Sequence, residues 1–170
     1  IVVQPGVEYG DDFIVDYDSP AAQGLSRFIE ETAMVYEAHS TDYQTPSALS
    51  QLVRDHFAIL KVGPALTFAY REAVYTLALI ENELYPRQQR SNLIQVLDEV
   101  MVEHPEHWQK HFHGDPDRLA YSRKFSLSDR VRYYWPDPRV QNALRRLLEN
   151  LRQKEIPLAL WSQFAPEYYQ

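Results

Sequence analysis

Apolar positions in this chain fall into two regimes, with the change near residue 86. Before it, short apolar runs alternate with helical stripes. Ile1–Gln4 predicts a strand, stopped by Pro5-Gly6. Ser19-Pro20, a capping residue followed by proline at the first helical position, opens a helix through about Thr32. Leu25, Phe28 and Ile29 give it an i, i+3, i+4 face. Met34–Glu37 predicts the next strand. Thr45-Pro46 repeats the cap-plus-proline signal, and Leu49, Leu52, Val53 and Phe57 line one face of a second helix. Ala58–Val62 predicts a third strand, broken by Gly63-Pro64, and a helix over 66–85 carries Leu66, Ala69, Ala73, Leu77, Ile80 and Leu84. Strand–helix alternation with short loops means βα units and a parallel sheet. Three such units cannot close an eight-stranded barrel, which takes about 250 residues.

After Pro86 only helical stripes recur, which divides the chain into 1–85, βα units, and 86–170, a helical region packed with it. Ser91 is the expected cap of a helix bearing Leu93, Val96, Leu97 and Val100. Pro105 opens another, with Trp108 and Phe112 inward. Ser126-Leu127-Ser128-Asp129 reads as a capping-box variant ahead of Val131, Tyr134 and Trp135. Asp137-Pro138 opens the cleanest stripe, Val140, Leu144, Leu147, Leu148 and Leu151, with Arg145, Arg146, Glu149 and Arg152 outside. Pro157 begins a last aromatic helix toward Tyr169.

Composition narrows the function. With 45% apolar residues, 12 Tyr, 7 Phe and 3 Trp, the chain can bury a sizeable core. A net charge of −7 speaks against nucleic acid and against an anionic membrane surface. No apolar run approaches the ~20 residues of a membrane span. The absence of cysteine removes disulfides and thiolate metal sites and fits a cytoplasmic protein. Opening on an apolar strand, without Met or a signal-peptide pattern, the chain reads as an excised part of a fold.

The densest chemistry is Tyr36–Tyr43, at the predicted end of the second strand. Ligands of parallel α/β folds bind at such ends. Glu37 and His39 lie two apart on an extended strand, so they point to one side. With Asp42 they suit acid–base work or a divalent metal, His39 being the weak candidate ligand; the alternative is a hydrogen-bonded histidine in a polar pocket. Lys61 could form a Schiff base or hold a phosphate, or pair with Glu37 or Asp42 from the neighbouring strand. Ser40 and Thr41 are candidate substrate contacts. His104, His107, His111 and His113 include an i, i+4 pair, but a His-Glu-x-x-His motif is absent and exposed histidines are the simpler reading. Arg130 and Arg132, among Tyr133, Tyr134 and Trp135, suit a sugar phosphate or a protein interface. Neither a G-x-x-x-x-G-K-[ST] loop nor a glycine-rich phosphate cradle is present, with only 5 Gly in all.

Several long strings resemble a known family. Val2–Glu8, Met34–Gln44, Asp55–Ala69, Ser126–Pro136 and Ile156–Leu158 are similar, in order, to the non-catalytic, accessory subunit family of D-tagatose-1,6-bisphosphate aldolase, also labelled as tagatose 6-phosphate kinases. The resemblance implies an α/β fold: the C-terminal strands and helices of a TIM (β/α)8 barrel, followed by an all-α region. It implies a partner, the catalytic class II aldolase subunit, which this chain would stabilise for full activity in galactitol or N-acetylgalactosamine breakdown. The zinc would lie on that partner, with no cofactor expected here. Catalytic class II aldolases share the barrel layout. Beside their pattern, Tyr9 falls where one metal-ligating histidine belongs. His39 is kept, but Ser40-Thr41 replaces phosphate-binding glycines; Lys61 is kept, but Gly63 and Ala65 replace an asparagine and an aspartate. These departures favour an accessory subunit. The alternatives are a sugar-phosphate lyase or isomerase using Glu37, His39, Asp42 and Lys61, or a sugar-phosphate-binding module without turnover.

Overall fold

In the computed structural model, which describes residues 1–168, the chain is mixed α/β with a small parallel sheet. Three two-residue strands, β1 (Val2–Val3), β4 (Glu37–Ala38) and β5 (Ile59–Leu60), pair in parallel in the order β1-β4-β5. Helices α1 (Ser19–Glu30) and α2 (Pro46–Arg54) make the crossovers between them, and α3 (Pro64–Leu84) follows β5. A hairpin, β2 (Glu8–Tyr9) with β3 (Ile14–Val15), interrupts the path from β1 to α1. Beyond lie α4 (Leu93–Glu103), α5 (Pro116–Phe125), α6 (Pro138–Arg152) and α7 (Leu158–Phe164), with short 3-10 turns between them. The expected end of the last helix, Tyr169, lies outside the described residues.

The chain divides into two compact units within α3: Ile1–Thr67 with Ser126–Ser128, and Phe68–Phe125 with Asp129 onward. In the first, the sheet's two faces differ. Register puts Val3, Ala38 and Leu60 in one row and Val2, Glu37 and Ile59 in the next. The first row packs with Ala22 and Ile29 of α1 and Leu52 of α2, joined by Tyr36 and Phe57, whose rings stack 5.4 Å apart. The second row is open: Val2 is 59% and Ile59 49% exposed. Parallel sheets bury both faces, and within the described residues the helix side is the one covered. Ser126–Ser128 forms a strap in this unit. Leu127 N–H donates to the Asp11 carbonyl at 2.8 Å, and the Ser126 and Ser128 hydroxyls both donate to Asp11 Oδ1.

The second unit closes on fourteen buried apolar side chains of the helices and the intervening turns, Leu97, Met101 and Leu147 among the most deeply buried, so its core does not depend on a sheet. Trp108 and Phe112 point inward as expected, and the Trp108 indole donates to the Met101 carbonyl at 2.6 Å. Around them, Arg71 Nη1 meets Asp129 Oδ1 at 2.9 Å with both side chains buried. Glu81, also buried, accepts from Ser91 N–H, from Ser91 Oγ at 2.6 Å and from Asn150 Nδ2 at 2.6 Å.

Several local expectations change. Asp18, not Ser19, caps α1, its carboxylate accepting from Ala21 N–H. The buried side of α1 is Ala22, Leu25 and Ile29, while Phe28 is exposed; in α2 Val53 is exposed, and Phe57 is buried beyond the helix end. Asn92, in a left-handed conformation, directly precedes α4, while the Ser91 hydroxyl donates to Glu81 and accepts from Leu93 N–H at 3.4 Å. Pro105 begins a 3-10 turn, Pro105–His107, and not an α-helix. Ser126–Asp129 leads into a 3-10 turn, Arg130–Tyr133, and Asp129 is taken up by Arg71. The largest shift is in α3. Its core face carries Arg71, Val74, Tyr75 and Ala78, and Ile80 is buried as expected with Leu77 partly so, while Leu66 is 75% exposed and Ala69 and Ala73 are exposed too. A buried arginine with its own carboxylate looks polar to an apolar periodicity, so the first half of the stripe read from the sequence is displaced.

Candidate functional site

The carboxyl ends of β1, β4 and β5 gather Gln4, His39–Asp42 and Lys61. Extended backbone through residues 37–39 sends the Glu37 and His39 side chains to one side, and Glu37 Oε1 and His39 Nε2 share a hydrogen bond of 2.8 Å. Both are about one-third exposed, 35% and 31%. Past His39 the chain turns sharply, with Ser40 at φ 57° and Tyr43 at φ 63°. Side chains rarely accept that region, and each such residue costs of order 1 kcal/mol unless its surroundings hold it.

Those surroundings are polar and close on one another. The buried Thr41 hydroxyl donates to the Lys61 carbonyl at 2.8 Å. The buried Asp42 carboxylate accepts from Gly63 N–H at 2.8 Å and Ala65 N–H at 2.9 Å, satisfying free donors at the start of α3. Asp42 therefore acts as a helix cap and does not join the Glu37–His39 pair. Lys61 is exposed and forms no ion pair among the described residues, so the expected pairing with Glu37 or Asp42 is not made: one carboxylate is bonded to His39, the other to backbone amides. Gln4 Nε2 donates to Ser40 Oγ at 3.2 Å and to Glu8 Oε2 at 2.9 Å, and Glu8 Oε1 accepts from Tyr9 N–H. Tyr9 and Tyr43 meet edge to face at 5.5 Å, and the Tyr43 hydroxyl donates to the Leu127 carbonyl at 2.5 Å. Gln4 and Glu8 carry no motif, and no periodicity or spacing marks their part in this network.

Away from the sheet, the four histidines His104, His107, His111 and His113 are exposed. His107 stacks on Tyr133 at 4.8 Å and meets Tyr134 edge-on. The turn at Pro105–His107 keeps His107 and His111 off a common helical face, and no group of three side chains able to hold a metal occurs among the described residues. The Arg132 guanidinium lies 4.6 Å above the Tyr133 ring and bonds the Tyr133 hydroxyl and the Asp129 carbonyl. No helix among the described residues is long and apolar enough to cross a membrane.

Chemically, the sheet end offers an imidazole–carboxylate pair and an ammonium, but its second carboxylate and its loop hydroxyls are bonded to the scaffold. Comparison with known proteins places the whole arrangement. All 170 residues match the model of a family described as D-tagatose-1,6-bisphosphate aldolase subunit GatZ/KbaZ-like. The chain is 54% identical over 170 residues to the D-tagatose-1,6-bisphosphate aldolase subunit GatZ of Salmonella newport (strain SL254), and equally to that of Salmonella agona (strain SL483). It spans 40% of the length of each. A crystal structure from Sinorhizobium meliloti 1021, described as a probable tagatose 6 phosphate kinase, superposes with a TM-score of 0.94 at 49% identity, covering 99% of this chain and 44% of that one. A match along its full length, with these levels of identity, means that the chain belongs to the D-tagatose-1,6-bisphosphate aldolase subunit GatZ/KbaZ-like family.

Proposed function

We propose that this chain is part of an accessory subunit that binds and stabilises a catalytic, zinc-dependent class II D-tagatose-1,6-bisphosphate aldolase subunit in the cytoplasm. Its pathway is galactitol or N-acetylgalactosamine breakdown. Its three parallel strands belong to a (β/α)8 barrel whose other strands lie in the rest of the protein. The observation that carries the reading is the fate of Asp42. A carboxylate at a strand end, near an imidazole, takes the amides of Gly63 and Ala65 on Oδ1 and so serves the start of α3. Tyr9, packed on Tyr43, adds no ligand to His39, and one imidazole does not hold zinc in the usual three-ligand geometry. The relatives' shared description as aldolase subunits supports a complex.

The test is reconstitution. The purified protein alone is expected to cleave no tagatose 1,6-bisphosphate, while adding it to the catalytic subunit raises that subunit's activity and lengthens its half-life on warming. Cleavage by this protein alone, lost in His39→Ala, overturns the reading in favour of a lyase built on the Glu37–His39 pair. A second reading rests on Lys61, an exposed lysine at the sheet end whose backbone carbonyl accepts from the Thr41 hydroxyl. There it would bind a sugar phosphate without turnover. A rise in melting temperature with tagatose 6-phosphate supports it, and no rise at saturating ligand removes it.

A further inference from the structure

Ala69 and Ala73, exposed on α3, form a wall together with the partly buried Leu77. Ala69, Ala73 and Leu77 face Trp161 and Phe164 of α7 across a groove of about 640 Å³. Glu72 and Glu167 also line it, and no lysine or arginine does. Burial lifts the Glu72 carboxyl above its ordinary range; Arg71 opposes this, and the nearby Glu167 charge adds to the rise. Arg71 itself is bonded to Asp129. The groove therefore joins two aromatic faces to a pair of mutually repelling carboxylates without a cation of its own. A guanidinium satisfies both features, stacking on indole while its planar fork meets carboxylates.

Resting on the accessory-subunit reading, we propose that this groove receives an arginine side chain of the catalytic aldolase subunit, its head between Glu72 and Glu167 and its stem along Trp161 and Phe164. The small side chains of Ala69 and Ala73 leave room for the stem, and attraction between unlike charges selects the partner's basic segment. No cofactor is involved.

Association of the purified protein with its catalytic subunit, titrated at low and high salt, decides the matter. The doubly neutralised variant Glu72→Gln with Glu167→Gln is expected to bind roughly tenfold more weakly and to lose most of the salt dependence. Ala69→Arg places a rival guanidinium on an exposed helical position. It is expected to cut binding at an unchanged melting temperature, and it decides the matter if the double variant melts early. Unchanged affinity and salt dependence in these variants overturns the groove as the docking point while leaving the accessory role standing. Failure of the unaltered protein to bind the catalytic subunit removes both.

Discussion

The sheet unit and the helical unit solve the same problem with different means. The sheet unit buries six apolar side chains around Phe57 and leaves the row Val2–Glu37–Ile59 uncovered. Polar fixtures make up for its small core: Asp42 on the α3 amides, Gln44 between Tyr17 N–H and the Val15 carbonyl, and Tyr17 on Asp55. The helical unit buries fourteen and adds one buried ion pair. A unit with a large apolar core keeps its shape by packing. One with a smaller core also fixes its loops by directed bonds, and such bonds hold the loop that looks like an active site.

Substitutions can break this contrast. Phe57→Ala empties the centre of the smaller core, and a loss of about 4 kcal/mol in denaturant unfolding is expected. A loss below 1 kcal/mol would mean that the cluster is not the sheet unit's core. Arg71→Ala strands Asp129 in the helical unit and is expected to cost about 3 kcal/mol, with Arg71→Met less damaging than truncation. Calorimetry that finds the two equal would show a dispensable pair. Asp42→Ala leaves two amides of Gly63 and Ala65 unsatisfied, for about 2 kcal/mol, and Asp42→Asn recovers part of it. Amide exchange at Ala65 reports the loss directly.

The smallest effect concerns pH. Burial by itself raises the Asp55 carboxyl, but hydrogen bonds from Ser19, Tyr17 and Gln51, with the His56 charge, outweigh it and hold it below the ordinary aspartate value. A depressed folded value contributes stability that is present above the unfolded value and lost as pH falls through the folded one. Tyr17→Phe removes one of those bonds. It is expected to lower stability at neutral pH by less than about 1 kcal/mol and to flatten the decline below the ordinary aspartate range. An unaltered acid limb would assign that decline to other carboxylates.

Much of the fold was legible because it obeys period and punctuation. Thr45 and Asp137 cap α2 and α6 as their prolines announce, and Leu93, Leu97 and Val100 are buried together on α4. The hairpin β2–β3 was missed because two-residue strands flanked by Asp11, Asp12 and Asp16 show no alternation to count. The helix α5, reading Pro-Asp-Arg-Leu-Ala-Tyr-Ser-Arg-Lys-Phe, has no apolar stripe. At the sheet end, the Glu37–His39 pair followed from a period of two. The role of Asp42 did not, since its partners are backbone amides that any sequence would supply.

The strap at Ser126–Ser128 bears on how the protein is made. Tyr43 reaches its carbonyl partner, Leu127, across 84 positions of sequence. At about 5–20 residues per second on the ribosome, the tyrosine waits on the order of ten seconds for that partner to be synthesised. Through that interval the hydroxyl of Tyr43 and the side chain of Asp11 remain solvated, and the loop after β4 is held only by the bonds of Thr41, Asp42 and Gln4. A nascent chain stalled before Ser126 would therefore expose this loop to protease, while one released past Ser128 would not. The Tyr43 end of the loop is thus the last to be set in synthesis, by residues far beyond the strands that carry it.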